Sequence, residues 1–324
     1  MTASWLTASE QLLESDLRRE KVLTIARLTE ILDRYGPQLG APASLSGNRF
    51  VKTLVTAGTI KQVEIKPEVR QKKDGRPSYK PFTRYIRSGA TAAEVALSLR
   101  PNSYFSHGTA AHLHGLLDGP LNLIYVNKEQ SPKLATPAEL TQDAIDQAFS
   151  NLPRISQYVY MFAGQRMVLL NGKNTKNYQV IDSKDPSGLP IRLTSLERTL
   201  VDITVRPTYA GGVSRVLQAF CAARGRVSVG KLVEVIKALG HIYPYHQAVG
   251  FYLAKSGFTK AQLRELVVLG LDFDFYLANG IKKKVLDTDW RVFIPADLES
   301  MSIAGKAFRG PSAHHPRRTL KRTK

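Results

Sequence analysis

An α+β fold follows from three features of the chain: helically spaced apolar residues at the start, a two-strand pattern around a basic turn, and a longer body of alternating short strands and amphipathic helices. At 324 residues the chain exceeds one ordinary domain. The pattern divides it into an N-terminal module (1–89), a mixed α/β body (90–309) and a basic tail (310–324). With 43% hydrophobic and 23% charged residues, it has enough apolar side chain for real cores. The opening MTASWLTASEQLLESDLRREK has no apolar core of leader length, and no apolar run approaches the ~18 residues of a membrane span. A cytoplasmic protein without a membrane partner is expected. The single Cys221 excludes an intramolecular disulfide and a cysteine-based zinc finger, which fits a reducing compartment.

The first module is read by periodicity. Leu12, Leu13, Leu17, Val22, Ile25, Leu28, Ile31 and Leu32 recur at helical spacing until Gly36-Pro37 stops them, as one long helix or two with a bend near Thr24. Leu45, Phe50, Val51, Leu54 and Val55 predict a short amphipathic helix ending at Gly58. TIKQVEIKP reads as a strand, RQKKDGRPSYK holds an Asp-Gly turn, and PFTRYIRSG reads as the returning strand. Helices, a short helix, then a hairpin is the element order of a winged helix-turn-helix, in which the third helix enters the major groove and the hairpin lies along the backbone.

Charge agrees with that order. The whole chain carries 46 Lys and Arg against 27 Asp and Glu, a net +19. Between Ser44 and Gly89 eleven basic residues face three acidic ones, a net +8 in one short stretch. Clustered cations displace counterions from phosphates, so double-stranded DNA is the expected partner. Ser46, Asn48, Arg49, Lys52 and Thr53 occupy the start and outer face of the short helix, where Arg suits guanine, Asn adenine, and Lys or Thr backbone oxygens. Lys72, Lys73, Arg76, Tyr79 and Lys80 belong to the wing tip. The last fifteen residues carry five basic residues, no acid and no core-forming pattern, and read as a disordered tail.

No catalytic set, metal site or cofactor is expected. GRVSVGKL (225–232) has phosphate-loop spacing, but Leu232 stands where a hydroxyl must hold magnesium, and the preceding SRVLQAFCAAR reads as a helix where the motif needs a strand. His107 and His114 would share a helix face with His112 pointing away, which favours packing or capping over metal. Cys221 sits among Ala and Phe without a base partner and reads as a buried structural thiol. The acids of DFDFY and DTDW read as half-exposed strand positions. An enzymatic alternative, a nuclease of a mobile element targeted by the winged helix, needs converging acids or a histidine pair.

In the body, TAAEVALSL and SHGTAAHLHGL predict helices separated at Pro101, followed by strands at NLIYVN, QYVYMFA, RMVLLNG, YQVID and IRLT. SLERTLVDI predicts a helix capped by Ser195, with Leu196, Leu200, Val201 and Ile203 inward. SVGKLVEVIKALG, HQAVGFYLAKSG and TKAQLRELVVLG read as helices with Gly stops, and FDFYLANG and WRVFIP as closing strands. Within that helix Glu197 and Arg198 are placed to tie it to a neighbour by an ion pair, and Asp202 and Arg206 stand at i, i+4.

The stretch RLTSLERTLVDITVRPTYAGG (192–212) resembles the signature of the AbiE-type antitoxins (AbiEi) of type IV toxin–antitoxin pairs. VALSLRPNSYFSHGTAAHLHGL, FYLAKSGFTKAQLREL and DTDWRVFIP agree with it in order and spacing, so the likeness spans roughly 90–295. The resemblance implies a phage-defence (abortive-infection) protein whose winged helix represses its own promoter. It also implies a C-terminal antitoxin domain, marked here by Glu197, Arg198, Asp202 and Arg206, that counteracts a nucleotidyltransferase-like toxin without a stable complex. The wing RQKKDGRPSYKPFTRY is longer and more basic than a minimal one, so the family's operator geometry does not carry over.

Overall fold

The computed structural model describes residues 4–15, 17–68, 80–119, 122–133 and 139–299. The chain begins with α1 (Ser4–Glu14), β1 (Val22–Leu23), α2 (Ile25–Tyr35), α3 (Gly47–Thr56), β2 (Lys61–Pro67) and β3 (Phe82–Ile86). The helical run therefore divides in two, and the second helix starts where Thr24 Oγ1 accepts the Arg27 N–H as its N-cap. α3 starts in the same way, with Ser46 Oγ accepting from Arg49 N. Gly47 allows α3 to approach α2: a Cβ there would stand 2.6 Å from Thr29 Oγ1.

Next come α4 (Ala92–Ser98), β4 (Tyr104–Phe105), α5 (His107–Leu113), β5 (Leu123–Asn127), α6 (Gln142–Ser150), β6 (Val159–Phe162), β7 (Gln165–Leu170), β8 (Val180–Lys184), β9 (Pro190–Thr194) and α7 (Leu196–Val205). A 3-10 turn (Pro207–Ala210) leads to α8 (Val213–Ala223), α9 (Val229–Leu239), α10 (Tyr245–Lys255), α11 (Arg264–Val267), β10 (Phe275–Tyr276), β11 (Lys284–Asp287), β12 (Val292–Pro295) and α12 (Ala296–Glu299). The fold is mixed α+β. Among the described residues no helix is long and apolar enough to cross a membrane.

Among the described residues nine strands join in one sheet, in the order β1-β3-β2-β6-β7-β5-β4-β9-β8, and three more form a small sheet, β10-β12-β11. The large sheet crosses the boundary expected at Gly89. β2 pairs with β3 from Lys61 to Ile65 and with β6 through Lys66↔Met161 and Pro67↔Tyr160. The seam continues where Glu68 N–H donates to Val159 O (2.7 Å), and the Glu68 carboxylate pairs with Arg166 (2.8 Å).

Packing follows the sheet. Trp5, Leu13, Leu28, Phe50, Leu54 and Tyr85 form one core under the first helices. Ile65 lies in a second core, with Val95, Phe105, Val126, Tyr160 and Met167. The largest core gathers Leu200, Phe220, Leu232, Val249, Tyr252 and Trp290 from α7 to β12. Gly250 permits this closure, because a Cβ would fall 2.0 Å from the Trp290 ring.

Several expectations change. α11 covers only Arg264–Val267, because TKAQL turns before the helix begins. Asp272 and Asp274 precede β10 and Asp289 lies in the turn after β11, so neither acid pair shares a strand face. These acids cap and pair instead: Asp287 Oδ1 accepts from Trp290 N and Asp274 Oδ1 from Arg291 Nε. Cys221 is half-buried, not buried, its Sγ 3.5 Å from Ser256 Oγ. The strand predicted at DTDW lies earlier, as β11 ending at Asp287, and α6 has no counterpart in the sequence pattern.

The seam yields a stability prediction that the chain's two tryptophans can report. Trp5 sits in the first core and Trp290 in the largest. Ile65→Ala removes a fully buried side chain of the middle core and should cost about 2–4 kcal/mol. In urea the Trp5→Phe and Trp290→Phe forms should shift by the same amount on adding Ile65→Ala. A shift seen by one tryptophan alone would show that the first module unfolds independently of the body.

Candidate nucleic-acid interface

Two groups of predicted residues are described, the α3 face and the α7 signature. On α3, Phe50, Val51 and Leu54 are buried, while Asn48, Arg49 and Lys52 point out and are exposed. Neither Arg49 nor Lys52 makes an ion pair among the described residues. Ser46 and Thr53 have local duties: the first caps the helix and the second donates its hydroxyl to Arg49 O (2.9 Å). Lys61, Lys66 and Lys80 are exposed on or beside the hairpin strands. Lys72, Lys73, Arg76 and Tyr79, the Asp74-Gly75 turn and the basic tail lie outside the described residues.

The charge count of this module overstates what faces solvent. Arg84 and Arg87 are buried. Arg84 donates to Ser98 Oγ and to the carbonyls of Thr83, Ser98 and Leu99, which satisfies the C-terminal end of α4. Burial lowers its pKa, with the nearby Arg100 adding to the effect. Arg87 donates to Leu17 O (3.2 Å) and pairs with Glu14 (2.5 Å), fastening β3 to the end of α1. Sequence periodicity held no sign that these two guanidiniums turn inward.

The α7 signature is arranged differently from its expected pairing. Arg198 and Asp202 form the ion pair, Nε to Oδ1 at 2.7 Å, and both are nearly buried. Arg206 does not join it. The backbone leaves the helix there (φ −135, ψ 71), so the i, i+4 spacing to Asp202 no longer lies along a helix face. Glu197 makes no ion pair among the described residues either; its carboxylate accepts Ser228 N–H (3.2 Å) at the start of α9. Ser228 caps α9 by accepting from Lys231 N, so the phosphate-loop spacing is a helix start that follows the helix α8 and no strand.

Arg198 anchors a wider polar network that residue spacing did not reveal. It also donates to Tyr178 O (2.8 Å) and Thr175 Oγ1 (3.3 Å). Thr175 bonds Glu129 through its hydroxyl and its N–H, and Asn177 N and Tyr104 OH complete the shell of that carboxylate. Asn127 Nδ2 donates in turn to Tyr104 OH (2.6 Å). Burial opposes the charge on Glu129, but the Thr175, Asn177 and Tyr104 bonds hold its pKa below the usual value. Arg198 shows the converse balance: burial opposes its charge, Asp202 outweighs it, and its pKa is raised.

No family model matches the chain, and no curated protein matches it. Among solved structures it is similar to RV2827C protein from Mycobacterium tuberculosis, with a TM-score of 0.50 and 15% identity over 90% of this chain and 92% of that chain. At that identity the likeness concerns the fold alone.

The histidines complete the picture. His107 Nδ1 lies 2.9 Å from Ser106 Oγ, His112 Nδ1 bonds Leu117 O, and His114 Nε2 bonds Thr194 O (2.8 Å). His107 and His114 do not act from one helix face, because His107 has a φ of +51° at the helix start and His114 is the C-cap. Among the described residues no group of three His, Cys, Asp or Glu is placed to hold a metal.

Burial pushes the pKa of His107 down to about 4, partly countered by Asp202, and His241 is held at about 4 for the same reasons. Both are therefore neutral in the folded protein at pH 7. In the unfolded chain they titrate near the ordinary histidine value of ~6.5. Stability should be full above that pH and fall as acid is added, down to about pH 4. His107→Asn with His241→Asn should flatten the dependence of urea midpoint on pH across that window; an unchanged slope would count against the assignment.

The network carries its own test. Asp202→Ala leaves the Arg198 charge buried without its partner and should cost about 3–5 kcal/mol. Arg198→Met with Asp202→Leu should recover much of that loss in chemical denaturation.

Proposed function

We propose that this chain is a DNA-binding antitoxin that represses its own promoter and counteracts a nucleotidyltransferase-like toxin. In this reading α2 and α3 form a helix-turn-helix, β2 and β3 are the base of the wing, and α3 is the recognition helix. The carrying observation is the outward face of α3, where Asn48, Arg49 and Lys52 are exposed and the two cations are free of acidic partners among the described residues. Asn and Arg are the side chains that make bidentate contacts to adenine and guanine edges. Lys61, Lys66 and Lys80 extend the cationic surface along the hairpin, where phosphates would lie.

The antitoxin half is supported by the resemblance of residues 192–212 to the AbiEi signature. Arg198 and Asp202 hold that segment rigid from within, through the buried pair. Cytoplasmic action without a cofactor and without catalysis belongs to the same reading. Each candidate histidine is bonded to protein oxygens, and the one acid–base pair of the signature, Arg198 with Asp202, is spent on structure.

Binding of the full chain to its upstream DNA should weaken with salt, with a slope of log K against log salt of about −5 for roughly six phosphates met. Arg49→Ala should cost about 1–3 kcal/mol on the operator and relax sequence preference, measured by anisotropy on operator and scrambled duplexes. Equal losses on both duplexes would remove Arg49 from base reading.

Point variants separate the two roles better than fragments, because β2 is shared with the body. Arg49→Ala with Lys52→Ala should abolish repression of a promoter reporter. The same variant should still rescue growth when co-expressed with the toxin encoded beside it. Loss of rescue together with repression would make DNA binding part of antitoxin action.

A further inference from the structure

Arg206 is left without a counter-ion by the geometry of its own helix. The acid one turn earlier, Asp202, is aimed at Arg198, and the chain leaves the helical path at Arg206 itself. Its guanidinium is exposed and makes no ion pair or hydrogen bond among the described residues. Its charge reaches inward, where it works against protonation of both His107 and His241. Arg206 lines a small cleft with Arg154, Thr208, Tyr209 and Asn279. Arg154 is likewise exposed and likewise unpaired among the described residues.

Arg154 and Arg206 both line the cleft and no Asp or Glu is among its lining residues, and like charges gathered at one cleft favour an anion there. Of the remaining polar groups, the Tyr209 and Thr208 hydroxyls have hydrogens to give, while Asn279 has Nδ2 donating to Ala148 O (3.0 Å) and keeps an acceptor oxygen. The Tyr209 hydroxyl accepts Ser156 N–H (2.8 Å), which leaves its own hydrogen to give, and the Thr208 hydroxyl is exposed. The enclosed space is about 10 Å³, room for about one water. A ring system cannot enter it, but one oxygen of an anion can, with the rest of the group held at the mouth. Planar arginine forks match phosphate oxygens in pairs.

We propose that this cleft is a phosphate site, in which Arg154 and Arg206 clamp the oxygens of one phosphate group. The site is separate from the α3 face, and the proposal does not depend on the DNA-repressor or antitoxin reading. A phosphate within a single strand of nucleic acid is the favoured source. Ile155 lines the cleft and is 50% exposed, and Leu152, 81% exposed, lies two residues from Arg154. Together they offer apolar surface to the sugar or base that such a phosphate carries.

The test is calorimetry on the full chain with three probes: inorganic phosphate, a 5′-phosphorylated trithymidylate, and the same trinucleotide without its terminal phosphate. Arg154→Ala and Arg206→Ala should each weaken phosphate binding about tenfold, the size expected for losing a charge-assisted hydrogen bond. Both side chains are exposed, so thermal melting should stay unchanged. Arg206→Lys should fall between wild type and the alanine form, because it keeps the charge and loses the fork. Arg264→Ala, at an exposed arginine that does not line the cleft, should bind as wild type. Either trinucleotide held more tightly than phosphate identifies a strand as the source, through an internal phosphodiester if both bind alike and through a terminal phosphate if only the phosphorylated form does; phosphate bound at least as tightly as both identifies the free ion. The proposal is overturned if wild type binds none of the probes, if neither cleft variant weakens binding, or if Arg264→Ala loses as much as they do.

Discussion

Strand β2 is the constraint on which the arrangement of this chain depends. Its first five residues pair with β3 and its last two with β6, so one strand serves both the first module and the body. Backbone hydrogen bonding thus passes along one strand from the β3 pairing to the β6 pairing, which ties the two parts of the chain through main-chain groups. Ile65 shows the consequence for packing. It sits on the hairpin of the first module yet is buried among the side chains of the body's sheet. The α3 face is thus displayed from a platform that continues into the body.

A second fixed point is the Arg198–Asp202 pair with its extension to Thr175, Glu129, Tyr104 and Asn127. A buried charge is costly unless it is paired and hydrogen-bonded, and here each charged group has its partners. The network joins α7 to the loops after β5 and β7, so the helix of the signature is held in position by polar contacts as well as by its apolar face. The same geometry leaves Arg206 outside. Closing one ion pair inside the body creates an unpaired cation at its surface.

The cations of this protein therefore fall into two kinds that composition alone does not separate. Arg49, Lys52, Lys61 and Lys66 remain available to a polyanion, whereas Arg84 and Arg87 are consumed at helix ends. Both kinds occur in the same short basic stretch. A count of charge per segment finds the stretch, but which member turns inward depends on where carbonyls are left over.

Local physics was legible in the sequence. Apolar period located α2, α3, α7 and α9, and Ser195 marked the start of α7; the structure adds that Thr24, Ser46 and Ser228 cap their helices through the same bond three residues away. Alternation and β-branched content located β2, β3, β5, β7 and β9. What lay beyond the sequence is everything set by distant partners. The seam of β2 with β6 joins residues nearly a hundred positions apart, and the choice of Asp202 for Arg198 over Arg206 turns on where the helix ends. Arg154 carries no signal at all in its own segment and gains meaning only beside Arg206. Periodicity records which face of an element avoids water; only the tertiary structure decides what that face, or a charge beside it, will meet.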